Sequence, residues 1–276
     1  MDGVAEMARR DRWARLRRSS LPRFAALRPA VLVAATAAFV LPLAGCGSRS
    51  GAATGPSFGT VIDQPLPVPD TPLVDQNGHQ FTLTSLHGKY VVLAQFLTLC
   101  QEECPLTTAA FDVMKKSVDR AGLSGQVDFA EVTLDPARDT PARLAAYQRQ
   151  FGTDWALLTG APADVAALWK RFGIYYQKVP ESSPPGTDWL TGRPLAYDMS
   201  HSNGFILIDR SGDERFVTQD LPDLHGQISP ALRRLLSQDG LRNLQNGDPS
   251  GQNYTIPQAL AALSWLVGRP IPLATS

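Results

Sequence analysis

The sequence predicts an α/β fold in which a central mixed sheet is flanked by helices. Two continuous apolar runs, residues 90–96 and 127–134, have the length and composition of buried strands. Each run is followed by a segment with the apolar periodicity or the start signal of a helix. A predicted hairpin and helix close the domain. The order βαβ followed by ββα is the layout of the thioredoxin-like fold.

The first elements are marked by a turn and by periodicity. Residues 73–81 predict a hairpin, because Asn77-Gly78 favours the tight turn between two strands. The strand over 90–96 leads into a helix over 105–118, whose apolar residues share one face. After the strand over 127–134, Asp139-Thr140-Pro141 is a helix start signal, and we interpret Asp139 as the cap of a helix reaching about residue 150.

The remaining elements are shorter. They are a strand over 155–158, a helix over 162–172, a strand-like run over 174–179, a Pro/Gly/Ser-rich insertion over 180–195, a buried strand over 205–209 and its return over 215–217. A final amphipathic helix is predicted from the spacing of Leu221, Leu224, Ile228, Leu232 and Leu235. The predicted domain is therefore 73–238.

Residues 239–276 form a predicted C-terminal extension. It is polar to about residue 253 and then carries an apolar stripe, framed by Pro257 and Gly268, that predicts a short amphipathic helix. This helix either packs back on the domain or faces a partner or a membrane.

The N-terminus has the organisation of an export signal. Arginines crowd the first thirty residues, and an apolar stretch over 30–43, too short to span a bilayer comfortably, follows them. The stretch ends in Leu43-Ala44-Gly45-Cys46, which is similar to the lipobox of bacterial lipoproteins. We expect residues 1–45 to be a lipoprotein signal peptide and Cys46 to carry the lipid; an ordinary signal peptide is the alternative. Residues 46–72, rich in Gly, Ser, Thr, Ala and Pro, predict a flexible tether.

Charge and cysteine content narrow the classes of function. The chain has 26 basic and 26 acidic residues, which argues against a nucleic-acid-binding protein with its usual basic excess. Of three cysteines, one is assigned to the lipid and two remain as a pair. In an exported protein such a pair is a candidate disulfide or metal site.

Cys100 and Cys104 lie where the first core strand gives way to its helix. Residues four apart on a helix are about 6 Å apart along its axis, so the two thiols can form a disulfide or point at one metal ion. A helix N-terminus lowers a thiol pKa and favours the thiolate that both chemistries need. Thiolates favour copper(I). Two buried structural cysteines are the simpler alternative.

His201 is the candidate third ligand. Thioredoxins and peroxiredoxins commonly place a cis-proline just before the strand that faces the thiols, whereas this chain has no proline between Pro194 and the strand over 205–209. It offers His201 there instead. An imidazole beside two thiols keeps a site usable for copper(II) as well as copper(I). The other histidines, His79, His87 and His225, lie in turn or surface contexts, where solvated side chains are expected.

A peroxidase is disfavoured by the residues before Cys100. A peroxiredoxin nucleophile resembles Pro-x-x-x-Thr-x-x-Cys, and the corresponding positions here are Leu93 and Leu97. Asp135 remains a candidate for lining the site or a docking face.

Three motifs in order resemble one family. They are Thr98-Leu99-Cys100 followed by Glu103-Cys104-Pro105, the run Asp135-Pro136-Ala137-Arg138-Asp139-Thr140-Pro141, and Tyr197-Asp198-Met199-Ser200-His201-Ser202 leading into Phe205. Over about residues 67–236 the chain resembles the Sco/SenC family, copper-binding thioredoxin-like proteins associated with cytochrome c oxidase assembly. The resemblance implies copper as the bound ion and Cys100, Cys104 and His201 as its ligands. The family usually has proline after the first cysteine, and Gln101 stands there instead.

Two hypotheses of function follow. In the first, the protein is a copper metallochaperone, held by its lipid at the extracytoplasmic face of a bacterial membrane, that delivers copper to the CuA-bearing subunit of cytochrome c oxidase. In the second, it is a thiol–disulfide oxidoreductase that reduces a partner's cysteines through a redox-active Cys100–Cys104 pair. A redox sensor is a third possibility. Whether the protein is an enzyme stays open at this point.

Overall fold

An eight-stranded mixed sheet forms the centre of the computed structural model, which describes residues 55–247 and 251–274. Its strands are β1 Thr60–Pro67, β2 Leu73–Asp75, β3 Gln80–Phe81, β4 Tyr90–Phe96, β5 Val127–Thr133, β6 Ala156–Thr159, β9 Phe205–Ile208 and β10 Asp213–Thr218. Two further pairs are β7 Tyr176–Val179 with β8 Asp198–His201, and β11 Leu221–Asp223 with β12 Asn253–Thr255. The helices are α1 Cys104–Arg120, α2 Pro141–Phe151, α3 Pro162–Arg171, α4 Pro230–Arg233, α5 Gln238–Asn246 and α6 Ile256–Val267.

The strand order of the sheet, β1-β10-β9-β4-β5-β6-β2-β3, confirms the thioredoxin-like prediction. β4 runs parallel to β5, and β5 runs parallel to β6, so α1 and α2 make the crossovers between neighbouring parallel strands. β9 lies antiparallel to β4 on its other side. β4 is buried from Val91 to Phe96, which explains its unbroken apolar run. The carboxyl end of this central strand carries the loop with Cys100.

The prediction of a flexible tether over 46–72 is wrong for residues 60–67. They form β1, which pairs antiparallel with β10 at the edge of the main sheet. Phe58, just before β1, packs on the rings of Phe216 and Tyr254 at centroid distances of 5.3 and 5.6 Å. Apolar side chains scattered among Gly, Ser and Pro thus bind this segment to the domain. The predicted signal peptide, the predicted lipidation site Cys46 and the start of the predicted tether lie outside the described residues.

The final amphipathic helix predicted over 221–235 is also wrong. Residues 221–223 form β11, a turn follows, and only the four residues of α4 are helical. Pro222 and Gly226 interrupt the periodicity, and both His225 and Gly226 have positive φ angles, 49° and 75°. The leucines are buried as expected, but from strand, turn and helix rather than from one helix face.

The C-terminal extension is integrated into the domain. α5, in the segment predicted to be merely polar, begins at the Ser237 cap, and β12 pairs parallel with β11. α6 packs back on α1, as in the first of the two alternatives, and buries Ala259, Leu260, Ala262 and Leu263. Among the described residues no helix is both long and apolar enough to span a membrane.

Candidate metal and thiol site

The loop that joins β4 to α1, residues 97–103, and the first residue of α1 form what we call the cysteine wall. Cys100 lies in the loop and Cys104 begins α1, and both are buried free thiols. Pro105 follows in the first turn, where its missing N–H breaks no helical hydrogen bond. The amides of Glu103 and Cys104 donate to Cys100 Sγ at 3.4 and 3.3 Å. The unpaired N–H groups of the helix start therefore surround this sulfur.

β8 and the following Ser202 form the histidine wall. His201 ends β8 and pairs in register with Tyr176 of β7. Its Nδ1 lies 2.8 Å from the carbonyl oxygen of Ser202, to which it donates. Nε2 then faces the cysteines and lies 3.7 Å from Cys104 Sγ. The donor atoms of Cys100, Cys104 and His201 all lie within 4.8 Å of one another.

The three side chains share charge unequally. The hydrogen bond from Cys104, followed by that from His201, lowers the pKa of Cys100 well below its ordinary value. Burial and the neighbouring Cys100 sulfur raise the pKa of Cys104. Burial alone would lower the pKa of His201, but the hydrogen bond and charge of Cys100 outweigh it and raise this pKa to about 9. Although the His201 ring lies within hydrogen-bond reach of Cys104, the charge that it faces is therefore on Cys100, the more acidic thiol.

A cavity of about 250 Å³ opens onto Cys100 and His201. Its lining includes four carboxylates, those of Glu102, Glu103, Glu181 and Asp198. Burial and the charge of Cys100 raise the pKa of Glu103 to about 7, and burial likewise raises the pKa values of Glu102 and Asp198. The ionised fraction of these carboxyl groups makes the mouth of the site favour cations over anions.

This donor set suits copper. Two thiolate sulfurs match the preference of copper(I), and the imidazole nitrogen is a good ligand for copper(II). The helix start and His201 already favour one thiolate, so a metal ion has to displace fewer protons. The same thiols can instead form a disulfide by losing two electrons and two protons to an oxidant. The arrangement can therefore hold a soft metal ion or exchange disulfides.

The Asp139 carboxylate accepts hydrogen bonds from the start of the cysteine wall, and Asp139 is not the helix cap that we predicted. Thr140 caps α2 with its side chain, while the Asp139 carboxylate is buried and accepts from Thr98 N at 3.2 Å and from the hydroxyls of Thr98 and Thr133, each at 2.5 Å. Burial raises the pKa of Asp139 to about 6. Trp189 Nε1 donates to the Thr98 carbonyl at 2.7 Å. The start of the loop is thus held from two sides.

Asp135 does not line the cavity; it belongs to a contact that anchors the histidine wall. Its carboxylate pairs with Arg138 and accepts from the Tyr197 hydroxyl at 3.0 Å. The Arg138 guanidinium also donates to the Tyr197 carbonyl at 2.8 Å, and Arg138 and Lys178 each lie 3.7 Å from the centre of the Tyr197 ring. Two of the motifs found in the sequence therefore meet here, just before β8.

Gln95 is a supporting residue that sequence reasoning missed. It stands in the buried strand β4, and its Nε2 donates at 2.8 Å to the Ser202 carbonyl, the acceptor that also orients His201. The signal in the sequence that could have pointed to Gln95 is the presence of a polar residue within an apolar run. The histidines predicted to be solvated, His79, His87 and His225, are exposed.

The fold and the site together define a class of protein: a thioredoxin-like domain with two thiols and an imidazole gathered at the end of its central strand. Residues 68–235 match the SCO1/SenC family model. The chain belongs to the SCO1/SenC family, as its motifs predicted.

Individual relatives are distant. A Stutzerimonas stutzeri protein named for copper binding is 29% identical over 148 residues, 54% of this chain and 67% of that protein. Protein sco1 of Schizosaccharomyces pombe is 28% identical over 145 residues, 51% of this chain and 50% of that protein. This chain thus spans half to two thirds of these relatives. The structure of Bradyrhizobium japonicum ScoI with copper bound has 26% identity and a TM-score of 0.45 over 63% of this chain and 94% of that one.

Proposed function

We propose that this protein is a copper metallochaperone that binds the ion through Cys100, Cys104 and His201 and delivers it for assembly of the CuA centre of cytochrome c oxidase. The observation that carries the proposal is the convergence of two sulfurs and one imidazole nitrogen within 4.8 Å. Family membership and the name of the Stutzerimonas relative support copper as the cargo. In this mechanism the residues bind the ion in the reduced state, and oxidation of the pair removes both sulfur ligands.

The alternative is a thiol–disulfide oxidoreductase. The lowered pKa of Cys100 favours it, because a thiolate is the attacking species in exchange. Cys100 would attack a partner disulfide, release one partner thiolate and form a mixed disulfide, which Cys104 would then resolve. His201 argues against this alternative as the main role, since simple exchange does not require a third ligand that faces both sulfurs.

His201→Ala separates the two roles, with His225→Ala as the control at an exposed histidine. The variant keeps both thiols, so we expect disulfide exchange to persist while copper retention and CuA assembly are lost. Copper stoichiometry of the purified protein and oxidase maturation in cells are the measurements. Unchanged copper retention would exclude His201 as a ligand, and lost copper with normal oxidase assembly would favour the oxidoreductase.

We also propose that a lipid on Cys46 holds the protein at the extracytoplasmic face of a bacterial membrane, after removal of residues 1–45. The lipobox-like run Leu43-Ala44-Gly45-Cys46 supports this. Cys46→Ser should move the protein to the soluble fraction, whereas Ser48→Ala should leave it in the membrane fraction. A Cys46→Ser protein that stays uncleaved and membrane-bound would instead indicate an N-terminal membrane anchor.

A further inference from the structure

Gln101, the residue after the first cysteine, departs from the family pattern. Contacts from outside the loop hold it in place. Proline after the first cysteine would fix one backbone angle covalently, and Gln101 leaves that angle free. An unrestrained residue loses backbone entropy when it becomes ordered. In this protein, Gln101 is instead contacted by two segments distant in the chain.

The first segment is the insertion between β7 and β8. Gln101 Nε2 donates to the Thr187 carbonyl at 2.7 Å, and Gly186 lies so close that an added Cβ would come within 2.6 Å of Gln101 Oε1. The insertion is itself anchored, because Arg143 on α2 makes a two-point ion pair with the carboxylate of Asp188 at 3.0 and 2.8 Å. The side chain of Gln101 is therefore tied to a fixed part of the molecule.

The second segment is the start of α5. The Ser237 amide donates to the Gln101 carbonyl at 2.7 Å, while the Ser237 side chain accepts from Gly240 N at 3.2 Å. Gly240 is buried against the cysteine wall. A Cβ on Gly240 would overlap the carbonyl oxygen of Gln101 and lie 3.0 Å from Glu102 Cα. Both are backbone atoms, which cannot rotate away.

We propose that the insertion over 180–195 and the first turn of α5 form a clamp on Gln101 that fixes the shape of the Cys100–Cys104 loop. The clamp does by tertiary contact what a proline would do covalently, and it gives the C-terminal extension a role at the site. A preformed loop loses less entropy when it binds, so the clamp strengthens copper retention. This last consequence rests on the proposed function, whereas the order of the loop does not.

Gly240→Ala tests the clamp with a single added carbon. Gly240 is helical, so the conformation itself accommodates alanine and the new clash with the loop is the main change. Gly125→Ala is the matched control, because Gly125 precedes β5 at the opposite end of the sheet and has no atom within 4 Å of an added Cβ.

The readouts are amide hydrogen exchange at Glu103, Cys104 and Ser237, and copper(I) affinity by competition. In Gly240→Ala we expect exchange about tenfold faster and copper affinity about tenfold weaker, the effect of losing one net hydrogen bond. The control should match the wild type. Equal exchange in Gly240→Ala and the control would overturn the clamp. If the wild type retains no copper, the proposed function fails, and exchange alone still decides the clamp.

Gln101→Ala provides a second variant that does not depend on the folding of α5. It removes the bond to Thr187 and leaves the carbonyl bond to Ser237 in place, so we expect faster exchange at Glu103 and Cys104 of about threefold. Unchanged exchange in this variant would exclude the insertion from the clamp.

Discussion

The cysteine wall and the histidine wall are held by contacts of different range. The Cys100 sulfur accepts hydrogen bonds from the backbone amides three and four residues later in the chain. Its surroundings therefore come from the local structure at the start of the helix. His201 is oriented by the Ser202 carbonyl, which is fixed by Gln95 from 107 residues earlier. A local motif can thus create the thiolate, whereas the position of the imidazole depends on the whole sheet.

Disrupting the cysteine wall should lower the free energy of unfolding more than disrupting the histidine wall. Asp139→Ala removes the common acceptor of three buried donors, on Thr98 and Thr133, and should lower the free energy of unfolding by about 4 kcal/mol. Copper retention should fall with it. Urea unfolding measures the first effect, and Asp63→Ala, at an exposed aspartate of β1, is the control. A loss below about 1 kcal/mol would show that Asp139 does not anchor the loop.

Glu131, a buried carboxyl close to helix α1, makes the stability of the protein depend on pH. Glu131 on β5 accepts from Thr108, one turn after Cys104, and from Trp155, and burial raises its pKa to about 7. The unfolded chain loses this proton near its ordinary pKa of about 4.5, so between that pH and about 7 the folded protein binds the extra proton. Stability is therefore greatest below this window and falls as the pH rises through it.

Glu131→Gln should remove that dependence. Relative to the wild type, the variant should gain stability as the pH rises from about 4.5 to 7, by about 3 kcal/mol at most. The comparison cancels the titration of other groups, including Asp139. Thermal unfolding of both proteins at a series of pH values is the measurement. A constant difference between them across the series would mean that Glu131 is ionised in the folded protein at all of these pH values.

The histidine wall depends on one guanidinium. Arg138→Met keeps the apolar stem but removes the bonds to Asp135 and Tyr197, which should cost about 2 kcal/mol of stability. Because Tyr197 immediately precedes β8, copper affinity should fall as well, by about tenfold. Arg215→Met is the control, because it breaks a 2.9 Å ion pair with Asp209. Asp209 directly follows β9, and this end of β9 pairs with the start of β4. Similar copper losses in both variants would indicate a general loss of stability instead.

The contrast between the walls also explains what could be predicted from the sequence. Strand 90–96, the helix start at the cysteines and the thiol pair follow from apolar runs and local spacing. His201 was found through the missing proline and the resemblance. The sequence predicts Asp139 as a helix cap, because it does not show that Thr98 and Thr133 converge on this carboxylate. The contacts of α5 with Gln101 join segments more than 130 residues apart, a distance that no local pattern reports.

The smallest expected effect on stability belongs to Gln95, and it isolates the orientation of His201. Gln95 Nε2 donates to the Ser202 carbonyl, while its buried Oε1 has no hydrogen-bond partner within the described part of the chain. Gln95→Met loses one bond and relieves one unpaired acceptor, so stability should change by about 1 kcal/mol or less. Ser202 then holds the ring less firmly, and copper affinity should fall about threefold. Urea unfolding and copper competition, with Gln148→Met on α2 as the control, measure the two effects. Unchanged copper affinity would show that β8 alone orients His201.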